Sequence, residues 1–379
     1  MKVCITSWAP FVAGAEVAAE RLALGLAEAG HRVLMIVGTD GDALIRFRDA
    51  GIRCQYVPQR FTDKLKWLQY RNSRARMQQI LRDEQPDLVH SNDLPTHQLT
   101  SDAARRLGIP RICHHRWIFD RGAIDWMNKF GAQRHLFVSD ALMTMLCDAS
   151  PSLAAAPRSV VYDGLPIPQM PGPAERPKAK AALGLDPQRC CVLFAGQIIE
   201  RKGVADLLHA WDRLAPQTRQ SAQLVVVGDD LEQGGAYRAQ MQQLAESLGH
   251  PVHFAGFQRN VPRWLTAADL VLVPSHAEPL GNATLEAMAH GRAVIGSRVG
   301  GIPEMIDDGR SGLLIPPHSP EALAAAITRL VADSLWCDSL GAEARRQCQQ
   351  RFSLQAHVES VTAEYHLVLN SSGIVDSCR

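Results

Sequence analysis

The sequence lacks the features that mark several common classes of protein. Basic and acidic side chains nearly balance among its 379 residues, and the net charge of +1 gives no reason to expect nucleic acid as a partner. No apolar run approaches the roughly 18 residues that can cross a bilayer, and the N-terminal apolar run is too short for a signal peptide. We therefore expect a cytoplasmic protein without a membrane span.

Motifs for metals and common cofactors are also scarce. The nine cysteines form no C-x-x-C pair and no spacing typical of a zinc site, which predicts reduced thiols. The dinucleotide fingerprint G-x-G-x-x-G is absent. One D-x-D pattern, Asp40-Gly41-Asp42, could bind a metal ion. It lies in a glycine-containing turn, however, where Asp is common because its side chain bonds the local backbone, so we favour a structural role. We therefore expect no cofactor and no catalytic metal.

Short apolar segments alternate with helical patterns, which is typical of parallel sheets covered by helices on both faces. A strand over residues 2–6, a loop, a helix opened by Gly14 and a strand over residues 31–37 form the first such unit. Three later strands of this half end in polar groups that would line one rim of the sheet: Ser91-Asn92-Asp93, His114-His115-Arg116 and Ser139-Asp140. The fold class predicted is therefore α/β.

The length exceeds what one hydrophobic core usually serves, so two domains are expected. Prolines crowd the stretch 166–178, and this density predicts a linker. We expect a first domain over residues 1–165 and a second over 179–353. A helix over 354–369 and a poorly ordered tail over 370–379 would follow.

The most informative stretch runs from Val271 to Gly301. It reads as a strand, a turn with Glu278, a helix over residues 283–290 capped by Asn282, and another strand. Glu286 follows Glu278 by eight residues and would lie in the first helical turn, where backbone N–H groups favour polar ligands. Because a carboxylate accepts several hydrogen bonds, this arrangement suits the paired hydroxyls of a sugar or ribose. We interpret it as a nucleotide-sugar site.

A second loop supplies cations. Arg201 and Lys202 follow the predicted first strand of the second domain and lie between Gly196 and Gly203. Such a pair can neutralise a diphosphate and stabilise its charge as it departs. Alone, an Arg-Lys pair is more often a solvated surface loop, but its place upstream of the two glutamates favours the diphosphate interpretation.

The run ADLVLVPSHAEPLGNATLEAMAHGRAVIGSRVGGIPEMIDDGRSGLLIPP resembles the signature of retaining glycosyltransferases with the GT-B fold. The resemblance is to the large E-x7-E family, glycosyltransferase family 4 or glycosyl transferases group 1. It covers nearly the whole chain, densely in the second domain and thinly between residues 40 and 160. It implies two Rossmann-like domains facing each other across a cleft, the donor mainly on the second and the acceptor mainly on the first. The helix over 354–369 would cross back onto the first domain.

The resemblance also implies roles for the matched residues. Glu278 would hold sugar hydroxyls, Glu286 would accept from the ribose, and Arg201 with Lys202 would clamp the diphosphate. Further donor contacts would come from Gly14, Gly196, Gly228, Gly256, Phe257, Leu280, Gly281 and Asn282. The family transfers by front-face attack with retention, so neither glutamate need be a nucleophile.

Two departures from the family pattern stand out. The family usually carries a His near the reacting sugar, whereas this chain reads Cys113-His114-His115-Arg116-Trp117 there. We take His115 first and Arg116 second as the catalytic candidate at that position, and the alternative is a mere rim contact. Asp163-Gly164-Leu165-Pro166 stands where relatives often have Asn-Gly-Val-Asp.

The segment 60–85 has seven basic and three acidic residues with an imperfect apolar side. It favours a solvated helix face with a core-facing edge, and the alternative is a weak contact with a membrane surface or an anionic acceptor. The acceptor could be a small molecule, a saccharide or a lipid-linked compound, and a peripheral place at the inner membrane face stays open.

Rival functions are a GT-B-fold nucleotide-sugar epimerase, a sugar phosphorylase and a non-catalytic nucleotide-sugar-binding module. The epimerase would isomerise the donor without an acceptor, and the phosphorylase would release sugar phosphate with orthophosphate. A module that binds the donor without transferring the sugar would be expected to lack some of the residues that hold the diphosphate and the sugar, but both cations and both glutamates are present.

Overall fold

The computed structural model describes residues 1–8, 12–62, 66–170, 172 and 174–371. The chain divides into two compact units. The first consists of Met1–Leu165 together with the C-terminal segment from Leu354, and the second of Pro166–Ser353. Each unit contains one parallel sheet with helices, so the expected pair of Rossmann-like domains is confirmed.

The first unit is an α/β layer structure. Its strands are β1 (Lys2–Ser7), β2 (Arg32–Val37), β3 (Cys54–Tyr56), β4 (Leu88–Ser91), β5 (Arg111–His115), β6 (Arg134–Phe137) and β7 (Arg158–Val160). They form one parallel sheet in the order β3-β2-β1-β4-β5-β6-β7. Its helices up to the unit boundary are α1 (Gly14–Glu28), α2 (Asp42–Asp49), α3 (Trp67–Glu84), α4 (Leu94–Arg105), α5 (Arg121–Met127), α6 (Asp140–Ala149) and α7 (Pro151–Ala154).

The second unit repeats the plan with a six-stranded sheet. Its strands are β8 (Cys190–Ala195), β9 (Ala222–Val227), β10 (Val252–Gly256), β11 (Leu270–Val273), β12 (Ala293–Ser297) and β13 (Leu313–Ile315), in the order β10-β9-β8-β11-β12-β13. Its helices are α8 (Glu175–Ala182), α9 (Val204–Asp212), α10 (Pro216–Ser221), α11 (Ala236–Ser247), α12 (Val261–Ala267), α13 (Asn282–Ala289), α14 (Ile302–Met305), α15 (Pro320–Ala332) and α16 (Ser334–Arg351). A short 3-10 turn covers Glu200–Lys202.

The order of the strands reverses once in each sheet. The chain moves outward from β1 to β3 and then returns to place β4 on the other side of β1. In the second sheet β8 and β11 are the corresponding neighbours. Loops leaving the carboxyl ends of such a pair diverge to opposite faces and leave a crevice, where open α/β sheets bind their ligands.

The last helix, α17 (Leu354–Ser371), belongs to the first unit and packs against α1. Val361 and Tyr365 are fully buried in the hydrophobic core of this unit. The Tyr365 hydroxyl lies 2.7 Å from Nδ1 of His90 on β4, and Glu364 pairs with Arg134 at the start of β6. The helix is thereby bound to the sheet of the first unit by polar as well as apolar contacts.

Two local predictions were wrong by short distances. His114 and His115 lie inside β5 and are buried, instead of following the strand. Helix α13 begins at Asn282, and its N-cap is Gly281, whose φ of 105° suits glycine and strains other residues. Glu286 consequently lies in the second turn of α13 and not in the first.

The proline-rich stretch 166–178 ends in a helix that was not expected. Helix α8 starts at Glu175, and Pro177 lies in its first turn, where a missing backbone N–H costs no helical hydrogen bond. Pro171 and Pro173 of this stretch lie outside the described residues, as does the tail from residue 372. The short strands β3, β7 and β13 were not predicted either.

The basic segment 60–85 is mostly the helix α3. Met77 and Leu81 are buried on the side that faces the core, whereas Trp67 and Leu68 are exposed. Asp63, Lys64 and Leu65 lie outside the described residues. A helix with the length and apolarity needed to cross a bilayer is not found in the described part of the chain.

Replacing Tyr365 by Phe is expected to lower the free energy of unfolding by about 1–3 kcal/mol, because the substitution leaves His90 Nδ1 buried without its partner. Leu367→Ala is the control, since Leu367 is 52% exposed on the same helix and its loss should cost under about 0.5 kcal/mol. Urea denaturation measures both values. Equal stability of Tyr365→Phe and the parent protein would contradict the packing of α17 described above.

Candidate functional site

The carboxyl ends of β8 and β11 bring two predicted site residues into contact. Lys202, from the loop after β8, forms an ion pair with Oε1 of Glu278, from the loop after β11. The hydroxyl of Ser275 donates a hydrogen bond of 2.8 Å to the same carboxylate oxygen. Glu278 is only 5% exposed, so its carboxylate is held in a defined place at the switch point of the sheet.

Two glycines allow the backbones around this contact to approach closely. A Cβ at Gly203 would stand 2.0 Å from the carbonyl oxygen of Pro274, and one at Gly300 would stand 1.5 Å from the carbonyl oxygen of Glu278. Both glycines also have positive φ, of 71° and 51°. The loops are joined further by the N–H of His276, which donates to the carbonyl of Arg201 over 2.7 Å. A larger residue at either glycine would separate the lysine from the glutamate.

The helix α13 begins directly beside Glu278. Leu280 and Gly281 are buried at its N-terminal end, and Asn282 is its first residue. The first backbone N–H groups of a helix have no partner within the helix, so this end attracts negative charge and ligand oxygens. Glu286 is half-buried in the next turn. The structure therefore places both glutamates near the N-terminal end of α13: Glu278 lies in the loop before the helix, and Glu286 lies in its second turn.

Three of the predicted donor-binding glycines occupy neighbouring strand ends. The N–H of Gly196 after β8 donates to the carbonyl of Val227, and the N–H of Gly228 after β9 donates to the carbonyl of Gly256. Gly256 ends β10 and precedes Phe257, which is 55% exposed. Gly196, Gly228, Gly256 and Phe257 therefore lie along the carboxyl ends of three neighbouring strands, and we call this row the glycine edge. Its β8 end is next to the loop that carries Lys202.

One polar side chain at this edge was missed. Gln197 follows Gly196 at the end of β8, and its amide nitrogen is buried with no hydrogen-bond partner among the described residues. Since buried donors are nearly always satisfied, this amide is positioned to bind a ligand oxygen. Its place directly after a strand-end glycine is the sequence signal that could have identified it. Ser275, which bonds Glu278, lies in the run that carries the family resemblance, but no role in the site was predicted for it.

In the first unit, Asn92 joins the ends of β1, β4 and β5. Its side-chain N–H donates to the carbonyl of Ala15 over 3.2 Å, and its Oδ1 accepts from Nε of Arg116 over 2.9 Å. Arg116 also forms an ion pair with Asp163. The residues that depart from the family pattern, Arg116 and Asp163, are thus each other's partners.

His115 occupies a different environment from Arg116. Its ring stacks on Phe137 with centroids 4.6 Å apart, and its Nε2 lies 3.0 Å from Nδ1 of His135. Burial lowers the pKa of His115 well below its ordinary value, so the imidazole is neutral. Arg116 is the first residue beyond the strand and is 8% exposed. Of the two candidates, Arg116 lies at the rim and His115 lies inside the sheet layer.

The residue that precedes α1 is held by a buried carboxyl. Gly14 is the first residue of α1, and Oε2 of Glu16 accepts a hydrogen bond of 3.0 Å from the N–H of Ala13. Burial raises the pKa of Glu16 to about 7, and the hydrogen bonds only partly oppose this shift. Gly14, His115 and Arg116 belong to the first unit, and the other predicted site residues belong to the second.

Within the described part of the chain, two groups of side chains have the composition of metal ligands. Cys113, His115 and His135 are buried together between β5 and β6, and a second group is Asp206, His276 and His318. The D-x-D pattern was the other metal candidate, and its second carboxylate, Asp42, is the first residue of α2.

Family models match both halves of the chain. Residues 189–333 match "Glycosyl transferases group 1", and residues 12–167 match "Glycosyltransferase Family 4".

Curated relatives align mainly over half of the chain. The α-maltose-1-phosphate synthase of Mycolicibacterium smegmatis is 37% identical over 216 residues, covering 52% of this chain and 52% of that protein. A D-inositol 3-phosphate glycosyltransferase of Nocardioides is 35% identical over 215 residues, covering 53% of this chain and 46% of that protein. The matched part of the chain therefore spans about half the length of these relatives.

A solved structure is similar over nearly the whole chain. The crystal structure of Anabaena Alr3699/HepE in complex with UDP and glucose has a TM-score of 0.85, with 22% identity, and covers 97% of this chain and 100% of that one. At this identity the likeness concerns the fold.

Proposed function

The chain belongs to the GT-B glycosyltransferases, and we propose that it transfers a sugar from a nucleoside diphosphate donor to an acceptor hydroxyl. We further infer that the anomeric configuration is retained and that no catalytic metal takes part. The observation that carries the proposal is the Lys202–Glu278 pair at the N-terminus of α13, at the switch point of the second sheet.

The pair supplies two opposite charges for two parts of one donor. An ionised carboxylate accepts hydrogen bonds from neighbouring hydroxyls, which makes Glu278 the ligand for the sugar. The ammonium group of Lys202 is a mobile cation that can turn from Glu278 to a phosphate oxygen. Donor binding would then replace the internal ion pair by two charge-assisted contacts, with Ser275 still orienting Glu278.

The remaining donor contacts follow from the neighbouring elements. The backbone N–H groups of Leu280, Gly281 and Asn282 at the mouth of α13 would donate to oxygens of the sugar or phosphate. Glu286, one turn along the helix, would accept from the ribose hydroxyls. The exposed ring of Phe257 at the glycine edge would contact the base.

Charge stabilisation of the leaving diphosphate is assigned to Arg201 and Lys202. Two cations next to a helix N-terminus can carry the negative charge that grows on the departing oxygen. The proposal needs no bound metal for this step. Retention is supported by the E-x7-E resemblance, in which the departing phosphate oxygen takes the acceptor proton and neither glutamate attacks.

We assign the acceptor to the first unit, with Arg116 as its candidate binding group. Its guanidinium is oriented by Asn92, Asp163 and His114, so its position is fixed before an acceptor arrives. Among donors, a uridine diphosphate sugar is the first class to test, since the HepE structure holds UDP and glucose.

Lys202→Met removes the charge and keeps the length of the side chain. We expect the Kd of the preferred nucleotide sugar to rise about 10- to 100-fold, as for a lost charge-assisted hydrogen bond. Isothermal titration calorimetry measures the change. Lys178→Met is the matched control, because Lys178 is 71% exposed in the same unit, and its Kd should equal that of the parent protein. Donor binding that is unaffected by Lys202→Met would remove the lysine from the site.

Slow hydrolysis of the donor in EDTA tests retention and metal independence together. For a UDP-α-sugar, proton NMR should show the α-anomer of the free sugar first, before mutarotation, because water replaces the acceptor on the same face. With the donor at saturation, Mg²⁺ or Mn²⁺ added in excess over the chelator should leave the rate within about twofold, since Arg201 and Lys202 carry the phosphate charge. A first-formed β-anomer would contradict retention, and a rate that depends on the added ion would contradict a metal-free reaction. Isomerised donor without hydrolysis would indicate an epimerase.

A further inference from the structure

Three potential metal ligands from separate segments of the second unit converge beside the donor loop. Asp206 lies in the first turn of α9, His276 in the loop after β11, and His318 in the loop between β13 and α15. Nε2 of His276 lies 2.8 Å from Oδ2 of Asp206. The rings of His276 and His318 have centroids 3.7 Å apart, and one ligand atom from each residue lies within 4.8 Å of the others.

The backbone of His318 sets this group apart from an ordinary surface ion pair. Its φ is 53°, and Gln85 is the other non-glycine residue with positive φ in the described part of the chain. A left-handed conformation costs a non-glycine residue about 1–2 kcal/mol, so an observed outlier of this kind is a reason to look for a role. Here the strained residue presents its imidazole directly to His276 and its carboxylate partner.

We propose that Asp206, His276 and His318 bind a divalent metal ion of the zinc class. A set of two imidazoles and one carboxylate suits Zn²⁺ and its substitute Co²⁺ better than Mg²⁺, because Mg²⁺ prefers oxygen ligands alone. Around a tetrahedral zinc ion the ligand atoms lie about 3.3 Å apart, so the 2.8 Å contact would open slightly and the ligand atoms that now lie within 4.8 Å of one another would adjust to this spacing. Asp206 and His276 are each about a fifth exposed and His318 is exposed, which leaves a path for the ion and a position for water.

The position of the site indicates what the ion does. His276 precedes Glu278 by two residues, and its N–H donates to the carbonyl of Arg201 in the donor loop. Asp206 lies three residues after Gly203, at the start of the helix that this loop enters. The ion would therefore cross-link the donor loop, the loop of Glu278 and the loop of His318. The ion would hold the backbone of the loops whose side chains bind the diphosphate. We assign it no contact with the donor itself.

Metal binding is tested on the whole 379-residue chain after chelator treatment, without any donor. Titration with Co²⁺ should give visible absorption of a low-symmetry complex that saturates at one equivalent, and one equivalent of Zn²⁺ should abolish it. Zn²⁺ should also raise the Tm, since a ligand that binds only the folded state stabilises it. Absence of any saturable binding would overturn the proposal.

His318→Gly is the decisive variant, because glycine accepts the positive φ while the ligand is lost. We expect a loss of Co²⁺ affinity of at least tenfold, and a similar loss for Asp206→Asn. His250→Ala is the matched control: His250 lies 3.1 Å from Asp212 in a surface His–Asp pair of the same unit, and its removal should leave Co²⁺ affinity unchanged.

The buried group of Cys113, His115 and His135 is the competing binding site in the same protein. Loss of the cobalt spectrum in Cys113→Ser, with full retention in His318→Gly, would place the ion there and overturn the proposal. A consequence for donor affinity rests on the proposed function: Zn²⁺ should lower the donor Kd in the parent protein but not in His318→Gly. An unchanged donor Kd with intact cobalt binding would reject this coupling and leave the metal site standing.

Discussion

The reversal of strand order between β8 and β11 is the constraint on which the candidate site depends. Because these neighbouring parallel strands send their following segments to different faces of the sheet, their carboxyl ends leave a crevice. Lys202 enters it from one side and Glu278 from the other, and glycines at positions 203 and 300 let the backbones come close enough for the side chains to pair. Charge complementarity at this point follows from topology, and substitution of either glycine would disturb the site without touching a charged residue.

The first unit uses the same topology for a different chemistry. At its switch point, Asn92 connects the start of α1 with Arg116, and Asp163 neutralises the guanidinium. Behind this rim, burial lowers the pKa of His90 to about 3 and that of His135 to about 4, so these imidazoles act as neutral hydrogen-bonding groups. The buried histidines pack within the sheet layer, and Arg116 is the charged group at its edge.

The sequence predicted the features that follow from strong local patterns. Alternating apolar and helical segments predicted both parallel sheets, and the strand-turn-helix pattern correctly predicted Glu278 before α13 and Glu286 on it, although Glu286 lies in the second turn and not in the first. His114 and His115 were misplaced because polar residues commonly mark a strand end, whereas here both rings lie inside the sheet layer, where His114 stacks on His90 and His115 contacts His135 and Phe137. Strands β3, β7 and β13 are three residues long, which is too short to give a periodic signal. The contact of Lys202 with Glu278 joins residues 76 positions apart and depends on tertiary structure alone.

Hydrogen–deuterium exchange with and without a bound nucleotide sugar tests most directly where the donor binds. A thermal-shift screen of UDP-, GDP-, ADP- and TDP-sugars first selects the donor that stabilises the protein most. With that donor at saturation, amide exchange is predicted to slow in residues 196–203 and 278–286, because their backbone N–H groups and side chains contact it. Protection confined to the first unit, or no protection by any nucleotide sugar, would contradict the account.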